Sequence, residues 1–339
     1  MITFQSNNVI DSAMKNLLLS IIKVNKYLSS ILNYNEKFLS KKNEKELINI
    51  LKEYNIPYDS LKYDSKILTD NPYYKNIKLD NIHYGNVKYE KTTIKKRTLM
   101  SMNFHQPLGK YLFHYHPLGY FDTNVDLPAL KEGDKVWMSP AVSEIKSMQT
   151  GIDKGHGKCL TMGLGIGVLP YLWLLKDEVE SVTIIEFNKD IINLFDTYIR
   201  PQFKIPKKLK IIHGDAFDYY REDFLNQFDY IYIDFWESTE DGLDSYIRLM
   251  EKNIDMSNID YWIEDSILYD VKYIVALYLL AVYENRNISN FISSVDENFK
   301  IIANKINKYF RTMNETIKTE DELLTFIHNK EILKKILAM

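Results

Sequence analysis

The spacing of apolar positions divides the chain into four textures. Over 8–54, Ile10, Met14, Leu17, Ile21 and Leu28 recur at helical spacing. A second helical stretch covers 44–54, and Asn55-Ile56-Pro57 ends it. Over 77–140 the pattern changes to short strand-like runs at 82–89, 99–104, 111–116 and 135–138. Gly85, Pro107-Leu108-Gly109 and Pro117-Leu118-Gly119 punctuate them, which predicts a small antiparallel β-region. Over 158–265 strands and helices alternate. Strands are expected at 158–162, 181–186, 210–213, 230–234 and 261–264, and helices at 168–175, 189–198 and 243–252. Alternation at this spacing predicts βαβ units around a parallel sheet. From about 265 the pattern is helical to the end, with no strand pair. The expected organisation is an N-terminal helical segment (1–70), a small β-region (71–140), an α/β core (141–265) and a helical C-terminal region (266–339).

Composition narrows the class without naming it. The chain has 339 residues, 45% hydrophobic and 26% charged, so a sizeable core forms without covalent staples. A formal net charge of -3 argues against a surface built to neutralise nucleic-acid phosphates. The single cysteine, Cys159, excludes an intrachain disulfide and a Cys-rich zinc site. It sits inside an expected strand and reads as a small core residue. The N-terminus shows no signal-peptide pattern, and the apolar run over 17–22 is too short to span a bilayer. The expectation is a soluble cytoplasmic protein with no membrane partner.

The strongest local signal is Lys158-Cys-Leu-Thr-Met-Gly-Leu-Gly-Ile-Gly-Val-Leu: an apolar strand, then Gly163, Gly165 and Gly167 at alternate positions, then a helix. Glycines permit a tight turn and let backbone N–H groups approach a ligand closely. The next strand ends in Glu186, about 20 residues after the turn, where a carboxylate can accept two ribose hydroxyl protons; the bland alternative is an acid at a helix start that Asn188 caps equally well. The third strand ends in Gly214-Asp215-Ala216-Phe217, where Asp215 can accept an adenine amino proton or serve as an N-cap. The fourth ends in Asp234-Phe-Trp-Glu237. Each acid alone is ambiguous; three strand-terminal acids after a glycine turn are much less so, because such sheets bind ligands at the carboxyl ends of their strands.

On these motifs the segment from Trp137 to Glu264 resembles class I S-adenosylmethionine-dependent methyltransferases, and also the spermidine synthase group. The resemblance covers well under half the chain. It implies a Rossmann-like α/β fold, with Gly163, Gly165 and Gly167 beside the amino-acid and sugar portions of S-adenosylmethionine, Glu186 on the ribose hydroxyls, and Asp215 with Ala216 beside the adenine. Two positions depart from common patterns. Thr161 stands where many methyltransferases carry an acid, and Val168 stands where dinucleotide dehydrogenases close their motif with Gly or Ala. The second departure favours S-adenosylmethionine over NAD. Against aminopropyltransferases, Gly165 replaces an expected Asp, while Asp234 and Glu237 preserve two acids after the fourth strand. Asp234-Phe-Trp-Glu does not match the motif of DNA methyltransferases.

The implied activity is methyl transfer to a small molecule, with Asp234 and Glu237 as catalytic candidates. Asp234 would orient or deprotonate the nucleophile, and Glu237 would hold a cationic substrate. Phe235 and Trp236 are candidates for the substrate pocket, as is Glu144 in Ser139-Pro-Ala-Val-Ser-Glu-Ile, for which an exposed helix acid is an equal alternative. A spermidine synthase-like aminopropyltransferase is the first alternative, and a non-catalytic nucleoside-binding scaffold the second. His114 and His116 would share one strand face. With no third ligand in view, they read as hydrogen-bonded or solvent-facing histidines, and no metal is expected. The antiparallel pair that usually closes a methyltransferase sheet is not evident. The helical C-terminal region is available to replace it, cover the sheet or mediate a homodimer.

Overall fold

The computed structural model describes residues 2–34, 37–79, 81–104, 106–138, 142–204 and 208–339. Ser139, Pro140 and Ala141, which open the motif around Glu144, lie outside the described residues, as does the boundary expected at 140/141.

The chain is mixed α/β, built around a five-stranded parallel sheet. Its strands are β1 (Gly157–Met162), β2 (Val179–Glu186), β3 (Lys208–His213), β4 (Tyr230–Ile233) and β5 (Ile259–Tyr261), in the order β3-β2-β1-β4-β5. Residues 159–162 of β1 and all of β4 are buried, as a sheet covered on both faces requires. The strand order reverses between β1 and β4, which opens a crevice at their carboxyl ends. Met162 pairs with Ile185 on one side and Ile233 on the other, so β1, β2 and β4 end level.

Local chemistry sets the connecting helices. Asn188 caps Lys189–Leu194 by accepting from the amides of Asp190 and Ile191. Phe195–Ile199 then continues it as a π-turn. The helix expected over 243–252 runs from Thr239 to Met250. It begins earlier because Ser238 and Asp241 form a reciprocal capping box. The strand expected over 261–264 ends at Tyr261, and Ile263 takes a left-handed conformation (φ +49°) from which the helix Glu264–Tyr283 starts.

The small β-region is present with different strands. The run read as one strand over 82–89 is a hairpin, Ile82–Tyr84 and Val87–Ile94, folded at Gly85 (φ +56°). Val87–Ile94 pairs with Val125–Glu132, and that strand pairs with Lys135–Met138, all antiparallel. The strand Val125–Glu132 went unforeseen because Asp126 and Pro128 interrupt its β-forming run. The runs at 99–104 and 111–116 shrink to the pairings of Met100–Ser101 with Leu118–Phe121 and of His114–Tyr115 with Gln106–Pro107.

The C-terminal region contains the helices Glu264–Tyr283, Lys300–Thr312, Glu320–His328 and Lys330–Leu337, with a shorter one at Ile288–Ser294. A strand pair does occur there: Thr316–Ile317 lies parallel to Thr3–Phe4, too short to leave a periodic signal. Glu264–Tyr283 is long and apolar enough to cross a membrane by length and composition alone. Twelve of its residues are buried inside the protein, where it packs as a core helix. One core cluster runs from Ile2 and Leu17 through the central sheet to Leu337, joining N-terminal helix, sheet and C-terminal helices.

Candidate functional site

A cavity of about 630 Å³ opens at the carboxyl ends of β1, β2, β3 and β4, within the size range of small-molecule sites. It holds most of the expected residues: Gly163, Gly165, Glu186, Asp215, Ala216, Asp234, Phe235, Trp236 and Glu144 all line it.

The glycine turn packs tightly on one side and is open on the other. Gly163 has φ +108°, and a methyl added there would lie 1.7 Å from the backbone oxygen of Asp234. Only glycine lets the β1 and β4 ends approach so closely. At Gly165, which faces the cavity, an added methyl would meet only the Met138 sulfur, at 3.1 Å. Among the described residues, the amides of Gly165 and Ile166 have no protein acceptor. Gly167 does not line the cavity. It precedes the helix Val168–Leu174 with φ +78°, and a methyl there would strike the Phe195 ring at 2.5 Å. It was expected beside the cofactor; its position here serves turn geometry and packing, outside the cavity lining.

Glu186 is buried and ties the turn to β2. One carboxylate oxygen accepts from the Leu164 amide at 3.0 Å, the other from the Asn188 amide at 2.7 Å. Burial pushes its carboxyl above the usual range, and the amide hydrogen bonds oppose that rise. The amides of Leu164, Phe187 and Asn188 all draw on this carboxylate, which also lines the cavity. Asp215 caps its helix by accepting from the Phe217 amide at 2.9 Å, so the N-cap alternative is realised by a residue that also lines the cavity. Ala216 is buried behind it.

Asp234 is electrostatically unlike the other acids. Among the described residues no donor reaches its carboxylate and no cation pairs with it. Burial alone pushes its pKa up to about 7. Glu237, three residues on, does not line the cavity. Its side chain pairs with Lys135 at 2.5 Å, and its amide donates to Asp241 at 2.9 Å. Glu237, expected in a catalytic or substrate-holding role, thus links the β4 loop to the hairpin strand Lys135–Met138 and lies outside the cavity lining.

Three of the four tryptophans face the cavity: the expected Trp236, and Trp137 and Trp262, which escaped the sequence reading along with Glu132 and Arg248. Trp137 donates to Glu132 at 2.9 Å, and Glu132 also accepts from the Asn188 side chain at 3.2 Å, so the small β-region forms a wall of the site. Trp262 donates to Ser147 at 2.6 Å. Trp236 keeps a buried ring N–H with no partner among the described residues. Arg248 lies 3.6 Å above the Phe217 ring, which meets Phe235 edge-on at 5.3 Å. Tryptophan is rare in this chain, and its position beside strand ends was the available signal.

His114 and His116 stand apart from the cavity. The His114 ring contacts Tyr269 at 4.4 Å, and burial, with Lys272 nearby, pushes its pKa down to about 4. Burial also lowers His116. Among the described residues no three His, Cys, Asp or Glu side chains gather as a metal site. Cys159 is buried in β1, and burial pushes its thiol up to about 12, which makes it inert.

No family model matches the chain, and no curated protein matches its sequence.

Proposed function

We propose that this chain is an S-adenosylmethionine-dependent methyltransferase with a Rossmann-like core, acting on a small molecule. One observation carries the reading. At the point where the strand order reverses, a glycine turn whose Gly165 and Ile166 amides meet no acceptor among the described residues, a buried amide-bonded carboxylate, and a carboxyl near neutral pKa that no described residue pairs with line a single cavity.

The donor set fits the nucleoside. Gly165 leaves space for close backbone approach, Glu186 accepts from ribose hydroxyls, and Asp215 with Ala216 borders the adenine. When bound, S-adenosylmethionine supplies an electrophilic methyl group, so the protein's task is alignment and proton handling. Asp234, half ionised near pH 7, accepts the proton of an incoming N–H or O–H nucleophile at its carboxylate oxygen. Trp137, Phe235, Trp236 and Trp262 exclude water around it and shape the acceptor's place.

One observation favours a second reading. The acids contributed to the lining by the β-region, the helix before β1 and the end of β4 are Glu132, Glu144 and Asp234. An amine-ended, decarboxylated cofactor suits three carboxylates, as aminopropyl transfer would require. Calorimetry with S-adenosylmethionine, S-adenosylhomocysteine, the decarboxylated cofactor and NADH tests both. Binding of S-adenosylmethionine and its demethylated product is expected; binding of the decarboxylated form alone selects the second reading. Binding without turnover on a broad acceptor panel would make the chain a nucleoside-binding scaffold.

A further inference from the structure

Two phenols from outside the α/β core reach the glycine turn. Tyr73 belongs to the short helix Pro72–Asn76, whose start Asn71 caps by accepting from the Tyr73 amide. Its ring packs edge-on against Tyr171 at 5.6 Å, and its hydroxyl donates to the carbonyl of Ile166. Tyr89 lies in Val87–Ile94, opposite Leu130 of the cavity wall, and its hydroxyl donates to the carbonyl of Gly165 at 3.4 Å. Both side chains have no solvent exposure. Burial raises both hydroxyls above their usual range, so they remain donors at every working pH.

The consequence follows from peptide planarity. In a trans peptide the carbonyl and the next residue's N–H point in opposite directions. A hydrogen bond that pulls the Gly165 carbonyl toward Tyr89 turns the Ile166 N–H the other way, where no protein acceptor meets it among the described residues. The Tyr73 bond to Ile166 likewise sets the following peptide, whose Gly167 N–H closes the turn onto Leu164 at 2.9 Å. The turn's remaining amides are already committed: Gly163 to Ile185 and Leu164 to Glu186.

We propose that Tyr73 and Tyr89 are positioning residues of the cofactor turn. They fix two successive peptide planes of the turn, the first presenting the Ile166 amide and the second closing Gly167 onto Leu164, so the small β-region is an integral part of the nucleoside site. The inference that the turn serves a nucleoside rests on the function proposed above; the setting of its geometry does not.

The test uses Tyr73→Phe and Tyr89→Phe in the full chain. Tyr278→Phe is the control; it removes a hydroxyl that bonds Asn307 at 3.2 Å in the C-terminal helices. Amide hydrogen exchange at Leu164 and Gly167 in the free protein reads the turn, and calorimetry with S-adenosylhomocysteine reads the site. Losing one hydrogen bond predicts exchange roughly three- to tenfold faster at both amides and a similar fall in affinity. The control is expected to change neither. Unchanged exchange at Leu164 and Gly167 overturns the proposal. So does faster exchange with wild-type affinity, which would leave only a structural role. If the wild-type chain fails to bind S-adenosylhomocysteine, the cofactor reading falls, and the exchange measurement alone decides whether the phenols set the turn.

Discussion

Replacing Asp234 by Asn separates stability from activity in a way the geometry quantifies. The Asp234 carboxyl has a folded-state pKa of about 7 against an ordinary 3.8, and burial is the cause. A raised carboxyl means that the folded state holds its proton longer than the unfolded state. Stability therefore falls as pH rises between the two values, and the cost is complete above about 7. At 1.36 kcal/mol per pH unit, the ionised carboxylate costs the fold about 4 kcal/mol at pH 8 and about 2 kcal/mol at pH 5. Asparagine has the same shape and no charge, but its amide is still desolvated, at about 1 kcal/mol. Asp234→Asn is thus expected to stabilise the protein by about 3 kcal/mol at pH 8 and by less than about 1 kcal/mol at pH 5. Urea unfolding at the two pH values measures this. In the same variant kcat/KM is expected to fall by about 10²–10⁴ and to lose its rise through pH 7, because the proposed proton acceptor is gone. A variant no more stable than wild type at pH 8, or one with an equal gain at both pH values, would refute the argument that burial alone sets this carboxyl.

Three further outcomes follow from the site. Glu186→Ala removes the proposed acceptor of the ribose hydroxyls and the anchor of the Leu164 amide; calorimetry should show S-adenosylhomocysteine binding weakened by about 2–3 kcal/mol, and an unchanged affinity would refute that proposal. Thermal melts should separate two glycines: Gly163→Ala drives a methyl into the Asp234 carbonyl and costs more than about 2 kcal/mol, whereas Gly165→Ala pays mainly for its left-handed backbone, about 1–2 kcal/mol. Equal losses would mean that the close approach of β1 and β4 is not rigid. Glu237→Gln breaks an ion pair with Lys135 in which the ammonium is exposed and the carboxylate mostly covered, worth about 1 kcal/mol. Turnover should fall less than tenfold, and a loss as large as that of Asp234→Asn would return Glu237 to the catalytic list.

The parallel sheet was legible because β1, β2 and β4 end in apolar runs closed by Gly163, Glu186 and Asp234. The β-region was legible only as a class. Gly85 hid a hairpin inside one apparent strand, and Asp126 with Pro128 masked the eight-residue strand Val125–Glu132, whose alternation is visible only once its partners are known. The pair Thr3–Phe4 with Thr316–Ile317 joins residues more than 300 positions apart, a closeness that no local pattern encodes. The same limit governs the site. Its polar anchors sit at strand ends and announce themselves, whereas Glu132, Trp137 and Arg248 reach it from a hairpin and a helix whose placement is tertiary.

Strand register explains why the anchors converge and why the last of them misses. Met162, Ile185 and Ile233 are cross-strand partners, so the residues that follow them, Gly163, Glu186 and Asp234, emerge side by side at one edge of the sheet. Reading strand ends from sequence therefore places them correctly even though Gly163 and Asp234 are far apart in the chain. Glu237 breaks that logic because the backbone has already turned. Asp241 accepts from the amides of both Glu237 and Ser238, which fixes the helix start and swings the Glu237 side chain toward Lys135. A strand-terminal acid belongs to the cavity only while the chain still follows the strand's direction; once a cap has taken the backbone, the next acid serves the cap's neighbours. Asp234 meets that condition, and it is the carboxyl that burial holds near neutrality.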